Sequence, residues 1–338
     1  MNNKIVLITS IFVSLSIISF YLYQQNYLKN NNKQLVDTIV TIFQKYVLTY
    51  DIDKQSINPE ETVVSQAYPL DEYQTLSKKL MHYVEQKKPI ILTMVGFPYK
   101  SANIKDKVIS SDADAAERYS LVFLQNFLNE VKTIYKNGIQ LIIFTDGIVF
   151  CDIEKVSDDT VLSYENALKI LTQDLPDIKI CTMHDLYSLS PAEIRNNIAT
   201  MNPSWNTFQD MVKTDTKLQE DIAILAQRLA FELALSSLTE KEITDIATQE
   251  THRGMQYSNF LKKFRAEETI TCSVHYQKHL DRKIGLKLSD SCITPWHGVL
   301  VETNGIFSIK HLEDVDQSQY KQMHYYCNGL PLTHLKHQ

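Results

Sequence analysis

"PIILTMVGFPYKSANIKDKVISSDADAAE" (Pro89–Glu117) decides how the chain is read. Ile90–Val95 is a short apolar run bounded by Pro89 and Gly96, the mark of a fully buried strand. A lysine-bearing loop follows. Asp114 with Glu117 three positions on makes a capping box, and Leu121, Leu124, Leu128, Val131 and Tyr135 then trace one helical face as far as Gly138. The next apolar run, "IQLIIFTDG" (Ile139–Gly147), brings Asp146 and Gly147 to a strand end. A helix predicted over 158–173 leads to a third strand, "IKICTM" (Ile178–Met183). Strand–helix alternation over about 90–185 predicts an α/β fold with a doubly wound, mostly parallel sheet.

Upstream, helices are expected at about 34–49 and 72–86. Downstream they are expected at 216–237 and 240–264, the second opened by the Thr239–Glu242 capping box. "TITCSVHYQ" (269–277), "RKIGLKLS" (282–289), "HGVLVE" (297–302) and "GIFSIK" (305–310) read as strands on short connections, so antiparallel C-terminal strands are expected. His334 and His337 read as surface residues of the tail.

The chain has 338 residues, 44% hydrophobic and 22% charged, enough for a sizeable core. A net charge of -6 speaks against nucleic-acid binding. The cysteines (Cys151, Cys181, Cys272, Cys292 and Cys327) are scattered and odd in number, so free thiols are expected rather than a disulfide framework or structural zinc site. Ile5–Tyr23 carries no charge and is long enough to span a bilayer as a helix. The bulky "YLYQQNYLKNNN" after it lacks the small residues of a cleavage site, so an uncleaved transmembrane helix is favoured over a signal peptide. The organisation expected is a membrane anchor and tether over 1–32 and one catalytic unit over 33–338.

Ligands of open parallel sheets sit beyond the carboxyl ends of the strands, where the 96–109 loop and the Asp146–Gly147 turn begin. Lys100, Lys105 and Lys107, with the amides of a helix start, suit a phosphate or carboxylate; the plain alternative is a solvated lysine run. Asp146 is either a functional carboxylate or a turn-forming Asp-Gly. "THRGMQY" (251–257) carries His252 and Arg253, while His275, Lys283, Trp296 and His297 fall near predicted strand ends. No GxGxxG, Walker or local metal-ligand spacing occurs, so neither a dinucleotide nor a metal is encoded locally.

Three stretches in this order, "GFPYKSANIKDKVISSDADAAE" (96–117), "IFTDGIVFCDIEKVSDDTVLSY" (143–164) and "SVHYQKHLDRKIGL…TPWHGVLVE" (273–302), resemble the isonitrile synthase family of pyoverdine and dityrosine biosynthesis. The resemblance covers about residues 75–305. It implies conversion of an aromatic amino acid's amine, tyrosine before tryptophan, into an isonitrile, with C2 of ribulose 5-phosphate as carbon donor and no metal or organic cofactor. A tailoring oxygenase downstream is expected. Lys100, Lys105, Lys107, Arg253 and Lys283 then become candidate anion holders, Trp296 a substrate contact, and Asp146, Asp152, His275 and His297 candidates for acid–base work. The chain departs from the family pattern at Tyr276 and Ser111, where proline is common, which bears on loop geometry and substrate choice. Because the phosphosugar is cytosolic, an inner-membrane anchor with the catalytic part facing the cytoplasm is expected; Lys29 and Lys33 after the apolar run, against Lys4 before it, agree. Two other functions fit the same residues: an inactive membrane-tethered binding protein, and a phosphosugar lyase without an amino-acid partner.

Overall fold

The computed structural model describes residues 27–49, 68–232, 238–264, 268–291 and 293–338. Ile5–Tyr23, the expected anchor, and Cys292 lie outside these residues. Among the described residues no helix is long and apolar enough to cross a membrane.

A first helix, α1 (27–46), runs straight through position 32, where the sequence placed the end of the tether. Its inward face, Val36, Ile39, Val40, Ile42 and Phe43, belongs to the main core, so these residues are part of the folded unit. Then come α2 (Gln74–Gln86), β1 (Ile90–Val95), α3 (Ala115–Ile134), β2 (Ile139–Thr145), the short α4 (Gly147–Phe150), α5 (Asp158–Leu171) and β3 (Ile178–Thr182). The capping box at Asp114 and Glu117 is present as the sequence indicates, and Leu121, Leu124, Leu128 and Val131 of α3 are buried. Burying such a side chain contributes about 1.5–3 kcal/mol, far more than helix propensity supplies.

A helical stretch follows: α6 (Met183–Tyr187), α7 (Pro191–Ala199), α8 (Trp205–Thr214), α9 (Thr216–Glu232) and α10 (Glu240–Leu261). Its inner residues Phe208, Leu218, Ile222, Ala226, Leu229, Ile246 and Ala247 form a core of their own with Ile153. β4 (Ile270–Ser273) and β5 (Ile284–Gly285) come next, then β6 (Val299–Thr303), β7 (Ile306–Lys310), β8 (Tyr320–Cys327) and β9 (Leu330–His337).

The main sheet has the order β3-β2-β1-β4-β5, with every neighbouring pair parallel. This corrects the antiparallel expectation for the 269–289 segment: β4 and β5 extend the parallel sheet on the far side of β1. Their runs are buried except for Ser273 at the end of β4, as in parallel sheets covered on both faces, and no alternation marked them. β6 and β7 do form the expected antiparallel hairpin. They belong to a second sheet, ordered β7-β6-β9-β8, whose C-terminal hairpin the sequence reading missed. His334 is not a surface residue but half-buried against Glu302, at 3.3 Å. The second sheet packs on the outer side of α3 and α5, which also contact β2 and β3. Among the described residues the cysteines are free thiols.

Candidate active site

Strand order reverses at β1, with β2 on one side and β4 on the other, so a crevice opens beyond their carboxyl ends. A cavity of about 370 Å³ occupies it. The loop after β1 contributes Gly96, Tyr99 and Lys107, and the turn after β2 contributes Asp146 and Glu154. The end of β4 brings Ser273 and His275; the Thr294–His297 turn brings Trp296 and His297. Arg228 of α9, Glu250 of α10, Lys283 and His311 close the wall.

Close backbone approach makes the crevice. A Cβ on Gly147 would stand 2.0 Å from the Pro98 carbonyl oxygen, so only glycine lets the loops after β1 and β2 touch. A Cβ on Gly285 would stand 2.6 Å from the His275 carbonyl oxygen, so the glycine lets β5 press against the end of β4.

Six of the ten residues singled out from the sequence meet at this cavity: Asp146, His275, His297, Lys107, Lys283 and Trp296. The other four do not line it. Lys100 is fully buried, with its Nζ 3.0 Å from Asp114 Oδ1 and 2.9 Å from Glu117 Oε2, and it donates to the Pro295 carbonyl at 2.8 Å. Burial alone pulls its pKa down, but the two carboxylates outweigh that and raise it, so the ammonium is a structural charge. Lys105 is exposed on the loop. Asp152 and Arg253 pair with each other, Arg253 also donating to the Val149 carbonyl and Asp152 lying 3.9 Å from Arg195. They fasten α10 to the turn after β2 and are spent on that contact.

Asp146 is the most chemically distinctive group. Its Oδ1 is buried and has no hydrogen-bond partner among the described residues. Burial pushes its pKa up to about 7; a bond to its own backbone amide and the neighbouring His275 pull the other way, while Glu165 adds to the rise. The carboxylate is therefore poised to exchange a proton near neutral pH. His297 behaves oppositely. Burial, then the nearby charges of Lys107, Arg228, His311 and His275, hold it well below the ordinary histidine range, so it stays neutral. Its Nδ1 lies 3.2 Å from Thr294 Oγ1. Of the groups that depress it, Lys107 and Arg228 bring permanent cations to a cavity that Asp146, Glu154 and Glu250 also line, so an anion bound there would be met by charged donors. Tyr99, whose hydroxyl donates to Glu154, has its ionisation suppressed by burial and then by Glu154 and Glu250. Among the described residues no group of three or more His, Cys, Asp or Glu side chains is arranged to hold a metal ion.

Residues 80–224 and 187–323 match the family model described as pyoverdine/dityrosine biosynthesis protein. The chain belongs to this family. Its relatives include an L-tyrosine isonitrile synthase of Xenorhabdus nematophila, 26% identical over 273 residues that cover 75% of this chain and 79% of that one. They also include the L-tryptophan isonitrile synthase AmbI1 of Fischerella ambigua, 26% identical over 256 residues, 71% of this chain and 80% of that one. The crystal structure of the PvcA protein from Pseudomonas aeruginosa shares the fold, with a TM-score of 0.74 at 20% identity, covering 90% of this chain and all of that one.

Tyr276 stacks on Tyr68, centroids 5.9 Å apart and planes 18° apart, and the Tyr68 hydroxyl donates to the Gln277 carbonyl. This aromatic pair braces the loop beside His275. Arg228, Glu250 and His311 were not marked by the sequence reading. Arg228 shares a helical face with the core residues Leu225 and Leu229, and a cation inside such a stripe is the one local signal that could have singled it out.

Proposed function

We propose that this chain is an isonitrile synthase that converts the amine of an aromatic L-amino acid, tyrosine before tryptophan, using ribulose 5-phosphate as carbon donor. The observation that carries the reading is the gathering of Lys107, Arg228, His311 and His275 around His297 at the switch point of the sheet. A phosphosugar needs charged donors such as Lys107 and Arg228, and an amino acid's carboxylate adds a second negative charge that Lys283 is placed to meet. The relatives named above carry tyrosine and tryptophan in their names, which supports an aromatic substrate.

The amine must lose a proton before it can attack the ketone to form an imine. Asp146, with its pKa near 7 and its buried Oδ1, accepts that proton, and His275 beside it relays protons in the later steps that release phosphate and cleave a carbon–carbon bond. Trp296 packs against the aromatic substrate. No metal or organic cofactor is invoked. The chain works at the cytoplasmic face of an inner membrane, held by Ile5–Tyr23, and hands its isonitrile to a tailoring oxygenase. Protease added to intact spheroplasts should leave the catalytic part uncut; digestion there would reverse the orientation.

The test is incubation of the purified chain with ribulose 5-phosphate and each aromatic amino acid, followed by product mass and the isonitrile infrared band. Product that forms only when both substrates are present supports the reading. Consumption of the phosphosugar without any amino acid would instead make the chain a phosphosugar lyase.

A further inference from the structure

Lys100 lies outside the cavity, yet it is tied to the turn that furnishes two of its walls. The ammonium donates to the Pro295 carbonyl at 2.8 Å, one residue before Trp296 and two before His297. The next residue, Ser101, donates its amide to the Trp296 carbonyl at 2.8 Å. On the other side the ammonium is gripped by Asp114 and Glu117. Those carboxylates also cap α3: Asp114 Oδ1 accepts from the Ala116 amide, and Glu117 Oε2 accepts from the Asp114 amide. Tyr164 of α5 donates to Glu117 Oε1 at 3.1 Å. The cap of α3, α5 and the 294–297 turn thus converge on one buried cation.

We propose that Lys100 is a positioning residue that fixes the Thr294–His297 turn and so sets Trp296 and His297 against the cavity. The inference rests on the reading of that cavity as the active site. A backbone bond from Ser101 also reaches the turn, but a bond from a charged donor contributes about twice as much as a neutral one. Lys100 therefore dominates. Phe97, with its ring 5.1 Å from that of Trp296, fills the space beneath and gives the turn a surface to rest on, without fixing where the backbone runs.

Lys100→Met alone strands two buried carboxylates and destabilises the fold whatever the role of the turn. The deciding variant is therefore Lys100→Met with Asp114→Asn and Glu117→Gln. Asparagine still caps a helix and glutamine still completes a capping box, so this variant loses the buried charges together and keeps α3. Trp205 and Trp296 are the chain's tryptophans, and Trp205→Phe leaves Trp296 as the reporter. In that background Trp296, 4% exposed, should emit as a shielded indole and resist acrylamide. The triple variant should keep its thermal transition within a few degrees of its parent, show red-shifted emission and several-fold stronger quenching, and lose turnover on the order of tenfold, with KM raised for the aromatic amino acid that Trp296 contacts and little changed for the phosphosugar. A Trp296 that stays shielded in a folded triple variant overturns the proposal, and so does loss of folding, which would give the cluster a purely structural role. The fluorescence arm needs no substrate. If the parent chain makes no isonitrile, the proposed function fails while the positioning of Trp296 is still decided.

Discussion

Replacing Asp146 with asparagine should both stop the chemistry and stabilise the protein, and pH separates the two effects. Burial raises the folded-state pKa from 3.8 to about 7. Between those values the unfolded chain has released the proton while the folded chain still holds it. Unfolding stability therefore falls as pH rises through this window, at about 1.4 kcal/mol per pH unit. About three units are spanned, so ionising Asp146 costs on the order of 4 kcal/mol of stability by pH 8. Its Oδ1 is shielded, but the residue is only half-buried and lines the cavity, so solvent screening lowers this figure. The asparagine of the Asp146→Asn variant cannot ionise and carries no such slope. Urea unfolding of both proteins at pH 4.5 and pH 8 isolates the effect, because other titrating groups cancel in the difference. The variant should gain a few kcal/mol relative to the parent at the higher pH, while its turnover falls by on the order of a hundredfold or more for want of a base. A stability difference that does not change with pH would refute the burial argument, and near-normal turnover would make Asp146 a turn former.

Lys107→Met should raise KM for the phosphosugar about ten- to a hundredfold, the worth of a charge-assisted bond, whereas Lys105→Met on the exposed side of the same loop should change it less than twofold. Steady-state kinetics of the two variants decides between a cavity lysine and a solvated one. Gly147→Ala should destabilise the fold by about 1–3 kcal/mol or more, because a Cβ 2.0 Å from a backbone oxygen forces the two loops apart; an unchanged thermal transition would contradict this. His297 should remain neutral, its ring resonances holding still in NMR spectra between about pH 6 and pH 8. A midpoint near 6.5 would contradict the cationic surroundings assigned to it.

The strands that build the crevice were legible because each is a short apolar run ending in a turn, and β1 to β3 announce themselves that way. What a run cannot reveal is its partner. β5 has two residues and β4 four, too short for alternation to show, and only tertiary pairing put β4 beside β1 and β5 beside β4, both parallel, rather than in a hairpin. The same limit separates Lys100 from Lys107. They share a loop and a side chain, but the capping carboxylates of α3 claim the first, while the second reaches the cavity with its Nζ 4.6 Å over the ring of Phe231. Arg253 sat on a promising motif and is taken by Asp152. Arg228, Glu250 and His311 come from three segments distant in sequence, and no local spacing could have joined them to Asp146.

The origin of the isonitrile carbon is the most direct test of the proposed reaction. The chain should be incubated with tyrosine and ribulose 5-phosphate carrying carbon-13 at C2, and the product analysed by mass and carbon NMR. One labelled carbon, at the isonitrile position, is the predicted result. An unlabelled isonitrile, or none while the phosphosugar is consumed, would contradict it.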